Sequence, residues 1–284
     1  MSFLLERASA ELKRCFWRDG FAVAPRFLSP DGVRAVAARF APLFAGEFET
    51  GIQPDEWNWR PGRDGNAITR QICNGWKADR TIAKIVLDEV VGRICAELMD
   101  WPGARINQDN VLWKPVGARA LGFHQDDSYQ RWIVPPSMVS CWIALDKTAR
   151  DGGTIEYVRG SHRWAVDPPI AQFHDPADPL AQVRMAARAA GVELDIVPVE
   201  VPSGSAVFHH GSVWHGSRIN LGNSDRRSLV AHCMSSSAEF HPVHTSPIYS
   251  RYRHHGTLAM DESFFPTLWR KDGWRSPFIE GYLQ

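Results

Sequence analysis

The 284-residue chain has no apolar run approaching the roughly 18 residues of a membrane span, so no membrane segment is expected. It also has no excess of either charge. The 32 Lys and Arg offset 32 Asp and Glu, and neither sign forms a long run, so nothing in the charge pattern points to a nucleic-acid or acidic-membrane partner. The five cysteines (Cys15, Cys73, Cys95, Cys141, Cys233) contain no CxxC pair, and three lie inside apolar patterns. That usage suits free thiols in a reducing compartment, and a cytoplasmic location is expected. The opening Met-Ser-Phe-Leu-Leu-Glu-Arg has neither a basic segment leading into an apolar one nor a small-residue cleavage site, so no targeting segment is expected. Repeats, low-complexity tracts and linkers are missing too, which makes residues 1–284 one expected domain. What the chain has in quantity is 12 Trp and 11 His.

Hydrophobic spacing divides the chain by element type. Leu5, Ala8, Leu12, Cys15 and Phe16 share one face of an expected N-terminal helix. Ser29-Pro30-Asp31 reads as an N-cap, a first-turn proline and a first-turn acid ahead of Val33, Val36, Phe40 and Phe44. Residues 46–80 hold no period and carry Trp57, Trp59 and Trp76, as a functional lid would. A helical stripe then returns from Ile82 to Leu98. From Ala104 the apolar runs shorten to four to eight residues rich in Val, Ile, Trp and Phe, bounded by Gly, Pro, Asn or Asp, and these predict strands. One helix, about 178–190, is inserted between them. The expected fold class is therefore α+β: a jelly-roll, cupin-like core over about 104–240. Helices of about 1–103 pack on it, and a tail of about 241–284 covers a pocket.

The chemistry begins at Phe123-His124-Gln125-Asp126-Asp127. In extended backbone residues i and i+2 face the same way, so His124 and Asp126 can reach one metal while Asp127 points elsewhere. Further ligands can come from the segment from Gly204 to Ser217, which offers His209, His210 and His215. Two imidazoles and one carboxylate on one face of a metal suit iron(II) with open positions, whereas a structural zinc site would close with sulfur. Arg226 and Arg227 open the strand that follows, and a guanidinium fork there could pair with the distal carboxylate of a keto acid.

In order, the chain presents His124-x-Asp126, Ser140-Cys-Trp142-Ile-Ala-Leu-Asp146, Asp151-Gly-Gly-Thr-Ile-Glu-Tyr-Val-Arg-Gly-Ser-His162, His215-Gly-Ser217, Asn220 and Arg226. These motifs resemble the phytanoyl-CoA dioxygenase family of iron(II)- and 2-oxoglutarate-dependent oxygenases, over roughly residues 10 to 240. The resemblance implies a double-stranded β-helix and an iron(II) site made by His124, Asp126 and His215. It implies 2-oxoglutarate held by Arg226 and Ser217, with Trp142, Gln108 and Asn110 nearby, and dioxygen as the further cosubstrate. It reads Gly160-Ser161-His162 as a structural turn, and His209, His210 and His232 as core histidines. Lys114 is left out of the expected site.

The implied activity is hydroxylation of an unactivated C–H bond of a small molecule, with succinate and CO2 as coproducts. Asp126 stands where halogenating relatives carry a small residue, which favours hydroxylation over halogenation. Desaturation, cyclisation or epimerisation at the same centre is one alternative, and a non-oxygenase cupin-like metal- or ligand-binding protein is another. Substrate contacts are expected from Trp59, Trp76, Tyr129 and Trp132. No coenzyme-A signature is visible in the sequence.

Overall fold

The computed structural model describes residues 2–284. Its main layer is an eight-stranded antiparallel sheet. In order it contains β1 (Phe21–Ala24), β10 (Ala206–His210), β7 (Met138–Ala144), β12 (Arg226–Ser235), β4 (Gly103–Lys114), β3 (Arg70–Cys73) and β2 (Glu56–Trp57), with β14 (Thr267–Arg270) also pairing β4. A four-stranded sheet of β5 (Leu121–His124), β11 (His215–Ser217), β8 (Ile155–Val158) and β9 (Ile196–Pro198) faces it. A short ribbon of β6 (Ile133–Val134) and β13 (Glu239–Phe240) lies apart. Two antiparallel sheets packed face to face with helices on one side make the expected α+β, cupin-like jelly roll.

Period-two alternation sorts the large sheet into two environments. On β4, Val111 faces a core that also takes Leu229, Ala231 and Cys233 of β12 and Cys141 and Ile143 of β7. That core is closed by α1 (Ala10–Asp19), α2 (Pro30–Ala45), α3 (Arg80–Val86) and α4 (Glu89–Met99). Alternate residues face the small sheet, where Trp142, Val207 and Val230 pack with Ile155, Tyr157 and Val213. Phe21 stacks on Tyr157 at 4.5 Å between centroids, pinning the two sheets together at one end. Toward the other end the apolar filling gives way to polar side chains, and a cavity opens there.

Several boundaries differ from expectation for local reasons. The first helix starts only at Ala10, because the Ser9 hydroxyl caps it by accepting from the Leu12 amide; Leu5 and Ala8 lie in the preceding extended chain. The stripe from Ile82 to Leu98 is two helices, since Asp88 leaves helical backbone and caps α4 through the Val90 amide. The inserted helix, α5 (Ala181–Ala190), begins three residues late: Asp178 ties its carboxylate to the Leu180 amide before the first helical turn. Segment 46–80, expected to be irregular, supplies β2 and β3. The tail divides. Residues 246–249 reach the cavity, whereas β14 extends the large sheet and α6 (Pro277–Leu283) packs on Trp76. Among the described residues no helix is long and apolar enough to cross a membrane.

Candidate active site

His124 ends β5, Gln125 continues in extended backbone, and Asp126 starts a short 3-10 turn through Tyr129. His215 opens β11 and sits directly across the ladder from His124. A neighbouring turn holds it there: Gly160 takes φ 74°, and the Ser161 hydroxyl donates to Val158 and accepts from the amide of Trp214. Gly160-Ser161-His162 is thus the structural turn that was expected. Asp126 Oδ1 lies 3.5 Å from His124 Nε2 and 3.7 Å from His215 Nε2. The three ligand atoms fall within 4.8 Å of one another, all on buried residues.

Hydrogen bonds leave the right atoms free for a metal. His124 Nδ1 donates to Gly122 O at 2.9 Å and His215 Nδ1 to Val213 O at 3.1 Å, so each Nε2 keeps its lone pair toward Asp126. Asp126 Oδ2 is occupied, accepting from Ser140 Oγ at 2.8 Å and His209 Nε2 at 3.1 Å, which leaves Oδ1. The tautomers follow from these bonds. His209 Nδ1 accepts from the Tyr157 hydroxyl at 2.8 Å; His232 Nδ1 donates to Ser140 at 2.7 Å, and its Nε2 accepts from Asn110 at 2.9 Å. Burial opposes ionisation of Asp126, but the imidazoles of His215, His124 and His209 outweigh it and hold the carboxyl well below its usual range. Burial, with His124 beside it, pushes His215 well down from its usual value, against the pull of Asp126.

Asp127 turns away as the alternation required. Its Oδ1 accepts from the Met138 amide at 2.9 Å and its Oδ2 from Ser212 Oγ at 2.5 Å. Gly211 permits this close seat, for a Cβ there would stand 2.0 Å from Asp127 Oδ1.

Behind the triad the pocket ends at two buried basic side chains. Arg226 is buried; its terminal nitrogens reach Ser228 Oγ at 3.0 Å and Gly153 O at 3.1 Å, and its Nε has no partner. Lys114 Nζ, also buried, donates to Ser217 Oγ at 2.8 Å. No carboxylate forms a salt bridge with either among the described residues, so burial pushes Arg226 down to about 10 and drives Lys114 well below its usual value. Arg227 is accounted for elsewhere, in a two-pronged pair with Asp146 at 2.7 and 3.0 Å. Trp142, whose ring lies 5.9 Å from the Arg226 guanidinium, and Asn110 line the same space.

Of the remaining expected residues, Gln108, Tyr129 and Trp132 line an adjoining cavity that opens on the triad from the other side. Trp59 and Trp76 do not line it. Both are core side chains: Trp59 packs edge-on to Phe44, and Trp76 packs against Phe278 and Tyr282. Trp59 lies just after β2 and Trp76 in the turn after β3, and both join the core under the helices. Lys114, Ser140 and Tyr157, and the bonding roles of His209 and His232, were not anticipated. Alternation carries a signal for two of them: Lys114 shares parity with Gln108 and Asn110, and His232 with Arg226.

The sequence model of the phytanoyl-CoA dioxygenase family matches residues 16–228. Dioxygenase olcK of Penicillium canescens is 27% identical over 177 residues, 60% of this chain and 49% of that protein, so the match spans about half of its length. The ectoine dioxygenase of Stutzerimonas stutzeri (strain A1501) is 24% identical over 238 residues, 78% of this chain and 75% of that protein. Among solved structures, the α-ketoglutarate-dependent carbocyclase SnoK of nogalamycin biosynthesis shares the fold with TM-score 0.68 at 21% identity, over 92% of this chain and 97% of that one. EctD from S. alaskensis with 2-oxoglutarate and 5-hydroxyectoine gives TM-score 0.68 at 17% identity, over 89% and 87%. With the family match running through most of its length, the chain belongs to the phytanoyl-CoA dioxygenase family of iron- and 2-oxoglutarate-dependent oxygenases.

Proposed function

We propose that the protein hydroxylates an unactivated C–H bond of a small organic molecule, using iron(II), 2-oxoglutarate and dioxygen and releasing succinate and CO2. One observation carries this reading: a buried two-histidine, one-carboxylate set stands at one end of a pocket whose other end holds two buried cations without carboxylate partners. The donor set fits iron(II), with two neutral imidazole nitrogens and one carboxylate oxygen free and no thiol among them. The far end fits a dicarboxylate, because the orphaned Arg226 Nε and the desolvated Lys114 both lack a countercharge. When bound, iron(II) and 2-oxoglutarate together supply dioxygen activation and hydrogen abstraction.

The protein's own groups prepare this chemistry. Asp126 presents one oxygen because Ser140 and His209 hold the other. Ser217 accepts from Lys114, which leaves its hydroxyl proton to donate to a carboxylate. A bound carboxylate would offset the burial that pushes Lys114 well below its usual value. Leu112, Leu121, Ile155 and Val230 keep the pocket dry, which strengthens each of these contacts.

The test is an anaerobic titration of metal-free protein with iron(II) and then 2-oxoglutarate, following the visible charge-transfer band of the chelate. The band is expected in the native protein and not in Asp126→Ala. Iron binding without a band would overturn the cosubstrate assignment. Product analysis on an identified substrate then decides the reaction: an added oxygen atom supports hydroxylation, and a desaturated, cyclised or epimerised product replaces it.

A further inference from the structure

The adjoining cavity measures about 390 Å³. That is near the small end of the roughly 300–1,000 Å³ that small-molecule sites occupy. It runs from His124 and Asp126 to Glu56 on β2, at the edge of the large sheet. Register defines this row: Glu56 pairs with Cys73 and Cys73 with Asn110, so the three lie abreast on neighbouring strands.

Its lining has a distinct chemistry. One wall is aromatic, with Trp132 and Tyr249 at 5.0 Å between centroids. The rest is rich in carboxamides whose free ends are set by their existing bonds. Gln108 accepts from the Tyr249 hydroxyl and Gln130 accepts from Asn107, so each keeps an NH2 to donate. Gln71 donates to Asn110 and keeps a carbonyl oxygen to accept. Among the described residues no lysine or arginine lines the cavity. Lys77 and Arg251 are both held by Asp55, at 2.8 and 2.6 Å. His174, pushed down to about 4 by burial, carries no charge at neutral pH. Glu56 is exposed at the mouth and has no ion-pair partner among the described residues.

We propose that this cavity takes an uncharged or cationic cyclic molecule rich in hydroxyl or amino groups, and that Glu56 sets the preference for a cationic one. The ring's C–H face packs on Trp132 and Tyr249. Hydroxyls, which donate and accept at once, satisfy the mixed amide set. A carboxylate or phosphate placed inside the cavity would lose its hydration, meet no lysine or arginine and face Glu56, so an anionic group is disfavoured there. The inference rests on the proposed oxygenase reading for what happens to the molecule, but not for what binds.

Metal-free protein is titrated with glucosamine, methyl glucoside and glucuronate, following tryptophan fluorescence. Glucosamine is expected to bind most tightly, methyl glucoside next and glucuronate least. Glu56→Gln should lower the affinity for glucosamine relative to methyl glucoside by about 2- to 5-fold, as loss of one exposed charge pair does. Glucuronate binding as tightly as methyl glucoside, or no binding by any of the three, overturns the proposal, and an unchanged ratio in Glu56→Gln overturns the role of Glu56. The iron and 2-oxoglutarate band is measured separately, so its absence would remove the oxygenase reading while leaving the binding order to be judged alone.

Discussion

Asp126 and Asp127 are adjacent, equally buried carboxylates with opposite tasks, and the difference lies in their donors. Asp126 meets four histidines, and Ser140 and His209 bind one of its oxygens, whereas Asp127 meets a backbone amide and the Ser212 hydroxyl. An amide side chain can accept from Met138 and donate to Ser212, so Asp127→Asn is expected to change iron(II) affinity less than about 3-fold, while Asp126→Ala abolishes binding. Equal losses in the two variants would refute the division. Ser140 is the more informative residue. Ser140→Ala removes a donor to Asp126 and the acceptor for His232 at once, with almost no change in packing volume. Metal affinity should fall about 10–100-fold. A metal titration against an unchanged thermal midpoint of the metal-free protein separates this from loss of fold.

At the scale of elements, alternation on β4 explains how one strand serves two layers. Gln108 and Asn110 face the cavities, while Asp109 between them faces the helices and accepts from the amides of Gly75 and Trp76, tying down the turn after β3. Burial pushes Asp109 from its usual 3.8 up to about 7, against the pull of those amides and Lys77. The folded state therefore holds more protons than the unfolded state between about pH 4 and pH 7. Stability falls as pH rises through that window and levels off above it, with a ceiling of about 4 kcal/mol for this one group. Asp109→Asn should flatten the fall between pH 4 and pH 7 in urea unfolding; an unaltered slope would remove Asp109 as its source. The same alternation marks what a sequence reader can and cannot see. That His124, Asp126, His215, Ser217 and Arg226 gather around one pocket is legible because each stands in a motif resembling the family's. Long strands such as β4 and β12 announce themselves by apolar residues. β2 and β3 do not, because the residues they present to the cavity are Gln71, Cys73 and, at its mouth, the exposed Glu56, so no hydrophobic period survives. Trp59 and Trp76 misled for the converse reason: a large aromatic in an irregular stretch has the same sequence appearance whether it lines a pocket or fills a core.

Across the whole molecule, the two halves of the site belong to different sheets. His124, His215 and Ser217 come from β5 and β11, whereas Lys114, Arg226, Trp142 and Asn110 come from β4, β12 and β7. Apolar contact around Phe21 and Tyr157 joins the sheets at one end, and at the other end two cations and a metal set face each other across the pocket. On the proposed reading, a dicarboxylate held at both ends would tie the sheets together, so its binding energy would become resistance to unfolding. At a concentration 100 times its dissociation constant a ligand adds about 2.7 kcal/mol. For a chain of this size that is roughly 5–10 °C in the thermal midpoint. The expected result is conditional: 2-oxoglutarate raises the midpoint by that amount when a divalent metal is present, by much less without metal, and by much less with metal in Arg226→Ala. Lys114→Met should fall between the native protein and Arg226→Ala, since it removes a cation but spares the guanidinium fork. A full increment in Arg226→Ala would mean that the keto acid is held on the metal side alone, and the polar link between the two sheets would then be limited to the protein's own bonds, such as Lys114 to Ser217.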